Sequence, residues 1–168
     1  MEDGVPLDVG PFRVTPFLID HSAYDSYALE VRTGGKTLFY SGDLRGHGRK
    51  AALFERLVAR APRSVDALLL EGSSIGRLPA GDRFPTEGDL EDSLAELAAQ
   101  TRGAVLVCAS AQNIDRVVTV FRAARRSRPV LVIDLYGAVI LAATGNENIP
   151  QSHWPDGACL CPSGSGVM

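Results

Sequence analysis

A glycine-centred turn between two short strand-like runs constrains the fold of this chain more than any other feature. Ser26 to Val31 reads as one strand and Thr37 to Tyr40 as the next, separated by Thr33-Gly34-Gly35-Lys36. Glycine reaches positive φ without steric cost, so a Gly-Gly pair between two such runs signals a hairpin. Turn geometry fixes hairpin register. Folding about Gly34-Gly35 then sets Asp43 roughly opposite Ser26, the start of the first strand. His21 lies just before that start, so the hairpin returns a carboxylate to the neighbourhood of an imidazole.

These are a hard and a borderline ligand, the mix that holds zinc or a similar divalent ion. The same two residues also suit a plainer role as loop residues or caps at strand ends, and spacing alone does not choose between the roles.

The stretch DHSAYDSYALEVRTGGKTLFYSGDLR resembles the middle of a metallo-β-lactamase-fold hydrolase. More narrowly, it resembles the RNA- and DNA-processing β-CASP, ribonuclease J-like branch. The resemblance runs from about Pro11 to about Gln151 and is weaker after Thr86. It implies that His21 is a metal ligand, that Asp43 is a carboxylate bridging two metals, and that Glu71 is an acid near the metal centre. It implies zinc as the cofactor, with a metal-activated water as the attacking group. The implied substrate is a phosphodiester in RNA or single-stranded DNA, with a small ester, thioester or lactone as the alternative within the fold.

One departure matters as much as the match. The family's principal metal motif, His-x-His-x-Asp-His, is absent, and the three histidines are His21, His47 and His153. The chain is therefore expected to be a piece of a longer hydrolase that lacks the N-terminal half. On that reading it binds metal weakly or not at all by itself. It also leaves apolar sheet surface uncovered, which favours self-association. The second functional reading is an inactive remnant or an α/β partner-binding module.

The fold class expected is α/β. Residues 1–78 would form the C-terminal part of a metallo-β-lactamase-like αββα sandwich, residues 79–150 a β-CASP-like α/β segment, and residues 151–168 a disordered tail. Phe12 to Ile19 reads as a strand, with Pro16 marking an edge or a bulge. Gly48 to Ala61 reads as a helix with Leu53, Leu57 and Val58 at helical spacing, ended by Pro62. Val65 to Leu70 is a nearly continuous apolar run of the buried-strand type. It delivers Glu71, which is either a ligand-contacting group at the end of a strand or an exposed loop carboxylate.

A capping box at Thr86 opens a helix to about Gln100, with Leu90, Leu94 and Leu97 along one face. Ala104 to Ala109 reads as a strand, Ser110 to Arg126 as a helix, Pro129 to Asp134 as a strand and Leu135 to Thr144 as a helix. Two parallel strands joined by a right-handed helical crossover are the simplest arrangement. The resemblance places a Ser-x-x-Asn-x-x-Arg run at this strand-to-helix turn, here Ser110, Asn113 and Arg116. These could hold a phosphate at the helix N-terminus, or Ser110 could simply be the N-cap.

Charge and cysteines narrow the class further. The net charge of −3 gives no chain-wide electrostatic footprint for nucleic acid. Arg122, Arg125, Arg126 and Arg128 form the one dense basic cluster, which reads equally as a solvated helix end. Cys108 reads as a small core residue in a strand. Cys159 and Cys161 are too close for an ordinary disulfide, and the odd cysteine count and the lack of a secretory signal make a reducing cytoplasm the expectation. No apolar run approaches membrane-spanning length.

Overall fold

The computed structural model describes residues 1–127 and 129–154, and the main chain of Gly157–Leu160. The α/β class holds. Two compact units divide the chain: residues 1–21 with 25–84, and residues 22–24 with 85–168.

The first unit is a five-stranded sheet with one helix. Its elements are β1 (Leu7–Val9), β2 (Phe12–Leu18), β3 (Tyr27–Thr33), β4 (Lys36–Tyr40), α1 (Ala52–Arg60) and β5 (Ala67–Leu69), and the strands lie in sequence order. The hairpin forms as its sequence demands. Thr33 pairs with Lys36 across the turn, and Gly34 and Gly35 take φ of 53° and 74°. Leu29 faces Tyr40, and the same register carried onward sets Ser26 opposite Asp43. Pairs β1–β2, β2–β3 and β3–β4 are antiparallel, whereas β5 joins β4 in parallel through the connection that contains α1.

Pro16 sits inside β2 and is buried, where a proline would break a central ladder. Its carbonyl points outward, beyond the end of β1, and accepts the Gly4 amide at 2.7 Å. The missing N–H therefore costs no strand-to-strand bond. The core joins the sheet to α1 through Phe17, Ile19, Ala28, Phe39 and Leu57. Phe17 and Phe39 meet edge to face at 5.9 Å, an arrangement aromatic quadrupoles favour.

The second unit contains α2 (Glu87–Gln100), α3 (Ile114–Ser127), β6 (Leu131–Asp134), α4 (Leu135–Ala143) and β7 (Gly157–Leu160). Among the described residues, β6 and β7 pair in parallel as a two-stranded sheet. Thr86 and Asp89 form the predicted capping box. Asp134 caps α4 by accepting the Gly137 amide. The core gathers Ile114, Leu141 and Ile149, with Tyr24 packed against them.

Several expectations are corrected. The helix read over 48–61 starts at Ala52, Val58 faces solvent, and Leu57 is buried with Leu53 half-buried one turn before it. Val65 to Leu70 contains a strand, but β5 is an exposed edge: Leu68, Leu69 and Leu70 are 52%, 53% and 64% exposed. Of the expected face of α2, Leu90 and Leu94 are half-buried beside the buried Glu87 and Ala95, whereas Leu97 is exposed. Ala104 to Ala109 belongs to no strand, and Cys108 is exposed rather than packed in the core. The helix read from Ser110 begins at Ile114. Within 151–168, Gln151 is buried and Gly157–Leu160 pairs with β6. Cys161 and the residues after it, and Arg128 of the basic cluster, lie outside the described residues.

Candidate functional site

Strand direction decides which side chains share an end of the first sheet. β2 and β4 are both antiparallel to β3, so they run the same way, and β5 is parallel to β4. His21 follows β2, Asp43 follows β4 and Glu71 follows β5. All three sequence-predicted residues therefore lie at one end of the sheet, on the loops leaving the C-terminal ends of three strands.

Their local contacts differ. The His21 Nδ1 lies 3.1 Å from the Ser26 hydroxyl, which fixes the ring against the start of β3. Asp43 is exposed, on a loop that begins with the buried Ser41 and with Gly42. Gly42 has φ of 62°, and a Cβ there would stand 2.9 Å from the Tyr27 carbonyl oxygen. The turn that presents Asp43 thus has room only for glycine. The Ser41 hydroxyl accepts the Glu71 amide at 2.8 Å and so locks the end of β5 to the end of β4.

Glu71 is held below the ordinary carboxylate range. The Ser73 side chain contributes most, followed by the Ser73 amide, with the Asp43 side chain and the Gly72 amide adding smaller effects against slight desolvation. Asp43 and Glu71 follow the paired parallel strands β4 and β5, and the Asp43 side chain is close enough to influence Glu71. Two adjacent carboxylates at the ends of neighbouring parallel strands form an anionic corner able to attract a cation.

The corner does not amount to a full metal centre. Among the described residues, no group of three or more His, Cys, Asp and Glu side chains is placed to hold a metal ion. A catalytic zinc takes about three protein ligands and an open position. The described residues do not meet that requirement.

Sequence reasoning passed over Asp20, which organises the same end of the sheet. Asp20 is fully buried. Its Oδ2 accepts the Gly48 amide at 2.8 Å, its Oδ1 lies 3.6 Å from Arg45 Nε, and its carbonyl accepts the Arg45 amide at 2.9 Å. A Cβ at Gly48 would strike Asp20 Oδ1 and the Arg45 guanidinium. Asp20 therefore ties the loop after Asp43 to the residue next to His21. An acid directly before the histidine was the available signal.

In the second unit, the predicted phosphate-contacting residues have other work. Asn113 Oδ1 accepts the Arg116 amide at 2.9 Å, so Asn113 rather than Ser110 caps α3. The Ser110 hydroxyl accepts the Gln112 amide at 3.3 Å. Arg116 reaches Glu87 through Nε at 3.3 Å and Nη2 at 3.4 Å. Glu87 is buried and also accepts the Thr119 hydroxyl at 2.6 Å. Arg126, from the basic cluster, pairs with Asp92 and Glu91. Among the described residues, no helix is long and apolar enough to cross a membrane.

Comparison with known proteins places this geometry among relatives. No protein-family model matches the chain. It is 30% identical over 131 residues to Ribonuclease J of Mycobacterium tuberculosis strain CDC 1551 / Oshkosh, and equally to that of strain ATCC 25618 / H37Rv. The match covers 74% of this chain and 22% of each relative, so the chain spans about a fifth of the curated relatives' length. Among solved structures, a protein of unknown function from Enterococcus faecalis V583 superposes with a TM-score of 0.68 at 25% identity. That likeness covers 88% of this chain and 35% of the other. The chain is thus similar in sequence to a segment of Ribonuclease J and shares its fold with part of a larger protein.

Proposed function

We propose that this chain is the His21–Asp43–Glu71 portion of a metallo-β-lactamase-fold, β-CASP-like hydrolase that cleaves phosphodiesters in RNA or single-stranded DNA. The observation that carries the reading is the delivery of Asp43 and Glu71 to the ends of neighbouring parallel strands, with His21 at the same sheet end. The similarity to Ribonuclease J supports it. In this reading Gly42 and Ser41 aim the two carboxylates, Ser26 orients the imidazole, and Asp20 holds the surrounding loop. His21, Asp43 and Glu71 fall short of a complete metal set, so the chain by itself binds a divalent cation weakly and turns over RNA slowly or not at all.

The test is a zinc and manganese titration of the chain, followed by calorimetry and thermal melting, beside Asp43→Ala and His21→Ala. Weak cation binding that disappears in both variants is the expected result. Indistinguishable binding by all three proteins would remove the basis for the assignment. Cleavage of a labelled single-stranded RNA, measured on the same samples, addresses the substrate class.

One observation favours a second reading, a partner-binding α/β module. β5 is an edge strand whose Leu68 and Leu69 are exposed, and Leu70 beyond it is exposed too. None of Ala67 to Leu70 carries the charge or proline that usually guards such an edge. Sedimentation across a concentration series separates the readings: self-association abolished by Leu69→Lys supports the module.

A further inference from the structure

The loop that follows Asp43 carries a basic run outside the grouping of His21, Asp43 and Glu71. Arg45-Gly46-His47-Gly48-Arg49-Lys50 holds three cations and a histidine, and no acid stands between Asp43 and Glu55. The loop is braced on both sides of His47. Asp20 accepts the Arg45 amide on its carbonyl at 2.9 Å and the Gly48 amide on its carboxylate at 2.8 Å, so one buried residue pins both flanks. A Cβ at Gly46 would meet the Phe54 ring at 3.4 Å, so that side of the loop is packed. Between these fixed points, the His47 ring stacks on Phe84 with centroids 5.3 Å apart and planes 27° apart. Both residues are half-buried, so ring surface stays open to solvent. Arg83, directly before Phe84, is exposed, and no ion pair found among the described residues includes it.

We infer that the His47–Phe84 stack is a base-stacking subsite for single-stranded nucleic acid, with Arg83 meeting the adjoining phosphate; the inference rests on the phosphodiester reading of the sheet end given above. Three arguments carry it. Every nucleobase has a flat π-face, and near-parallel rings at a protein surface extend a pile of bases without regard to sequence. Bases inside a duplex have both faces covered by their neighbours, so the subsite selects unpaired strand. The cation beside the rings supplies the phosphate contact, and stacking rings combined with positive charge are what single-stranded binders use. The position also suits the site. His47 is four residues from Asp43, a reach of at most about 14 Å, or about four stacked nucleotides at about 3.4 Å each. A strand entering the carboxylate corner therefore passes the rings. Pinning both flanks of His47 on Asp20 lowers the ordering cost that binding would otherwise carry.

The experiment is fluorescence anisotropy of the full chain with a labelled single-stranded RNA of about ten nucleotides, beside an abasic strand of the same length. A chelator is present, so binding is read apart from cleavage and from any cation at the carboxylate corner. The expected result is RNA bound at least about tenfold more tightly than the abasic strand. Phe84→Leu and His47→Gln should each weaken RNA binding about 5- to 100-fold, the range of one lost base stack, and leave abasic binding within about twofold. Arg83→Gln should weaken both strands alike and lower the salt slope by about one. RNA bound no better than the abasic strand would overturn the proposal, as would both ring variants binding RNA as the parent does. Urea melts identify a variant that fails to fold, and the parent chain then decides. Its His47 and Phe84 ring protons should shift on adding RNA and not on adding the abasic strand; unmoved rings would count against the subsite. A failed cation titration would leave this result unchanged, and a failure here would leave the carboxylate assignment standing.

Discussion

Removing the Arg45 side chain tests whether the Asp20 tether holds the candidate site together. Asp20 is fully buried, and Arg45, the cation 3.6 Å from its Oδ1, has a side chain only 15% exposed. Arg45→Met keeps much of the apolar stem and deletes the charge. The carboxylate then retains the Gly48 amide but loses its counter-ion. Stripping one partner from a buried pair costs about 3–5 kcal/mol, a large share of the roughly 5–15 kcal/mol that stabilises an ordinary domain. With a urea slope of about 2 kcal/mol/M, the midpoint should fall by about 2 M.

Far-UV circular dichroism with exchange protection of β2–β4 follows the first unit. Trp154, the chain's one tryptophan, packs on Phe121 and reports the second unit separately. Asp20→Asn/Arg45→Met should recover a good part of the loss, because the buried charge goes with its partner. A midpoint change below about 0.5 M in Arg45→Met would refute the argument, since it would mean that Asp20 rehydrates at little cost.

Three further outcomes are expected. Gly42→Ala forces a side chain onto positive φ and against the Tyr27 carbonyl, so it should destabilise the first unit by more than about 1 kcal/mol in urea melts. Thr86→Ala removes the cap of α2 and the hydroxyl that lowers Asp89; a loss of about 1 kcal/mol is expected, with α2 amides exchanging faster. Ser73→Ala removes the largest influence holding Glu71 low, so the Glu71 carboxyl should titrate at higher pH by carbon-detected NMR. The sign follows from the depression. The stabilisation from Glu71 is complete above its unfolded-state pKa and is lost as pH falls through its lower folded-state value. The variant should lose that contribution at a higher pH than the parent.

What was legible in the sequence was what local chemistry decides alone. Gly34 and Gly35 determined the turn, the turn determined the register, and the register placed Asp43 opposite Ser26 before any tertiary contact was known. Thr86 and Asp89 announced their helix for the same reason. Burial was less legible, because periodicity says which residues suit a core and not which surface arrives to cover them. Leu68 to Leu70 and Leu106 to Cys108 have the pattern of inner strands, yet both runs are exposed. Helix starts failed where two cap-forming residues stood close together: Ser110 and Asn113 are both eligible, and Asn113 is the one whose oxygen meets the amide three residues on. β1 is three residues long and includes Asp8, and β7 is only four residues long and begins with a glycine. Neither carries enough alternation to stand out. The shared sheet end of His21, Asp43 and Glu71 follows from their places just after three strands, whereas Asp20 takes its contacts from Arg45 and Gly48, more than 20 positions away.

The hairpin turn and the candidate site occupy opposite ends of the same strands. β4 alone spans Lys36–Tyr40, and at about 3.3 Å per residue it separates the turn from the Asp43 loop by about 16 Å. Residues 33–36 are exposed, and a glycine pair tolerates a lengthened connection with little backbone penalty. The turn is therefore the natural attachment point for a fluorophore, an affinity handle or a surface tether. Such an attachment would leave the histidine and carboxylate end of the sheet open to solution.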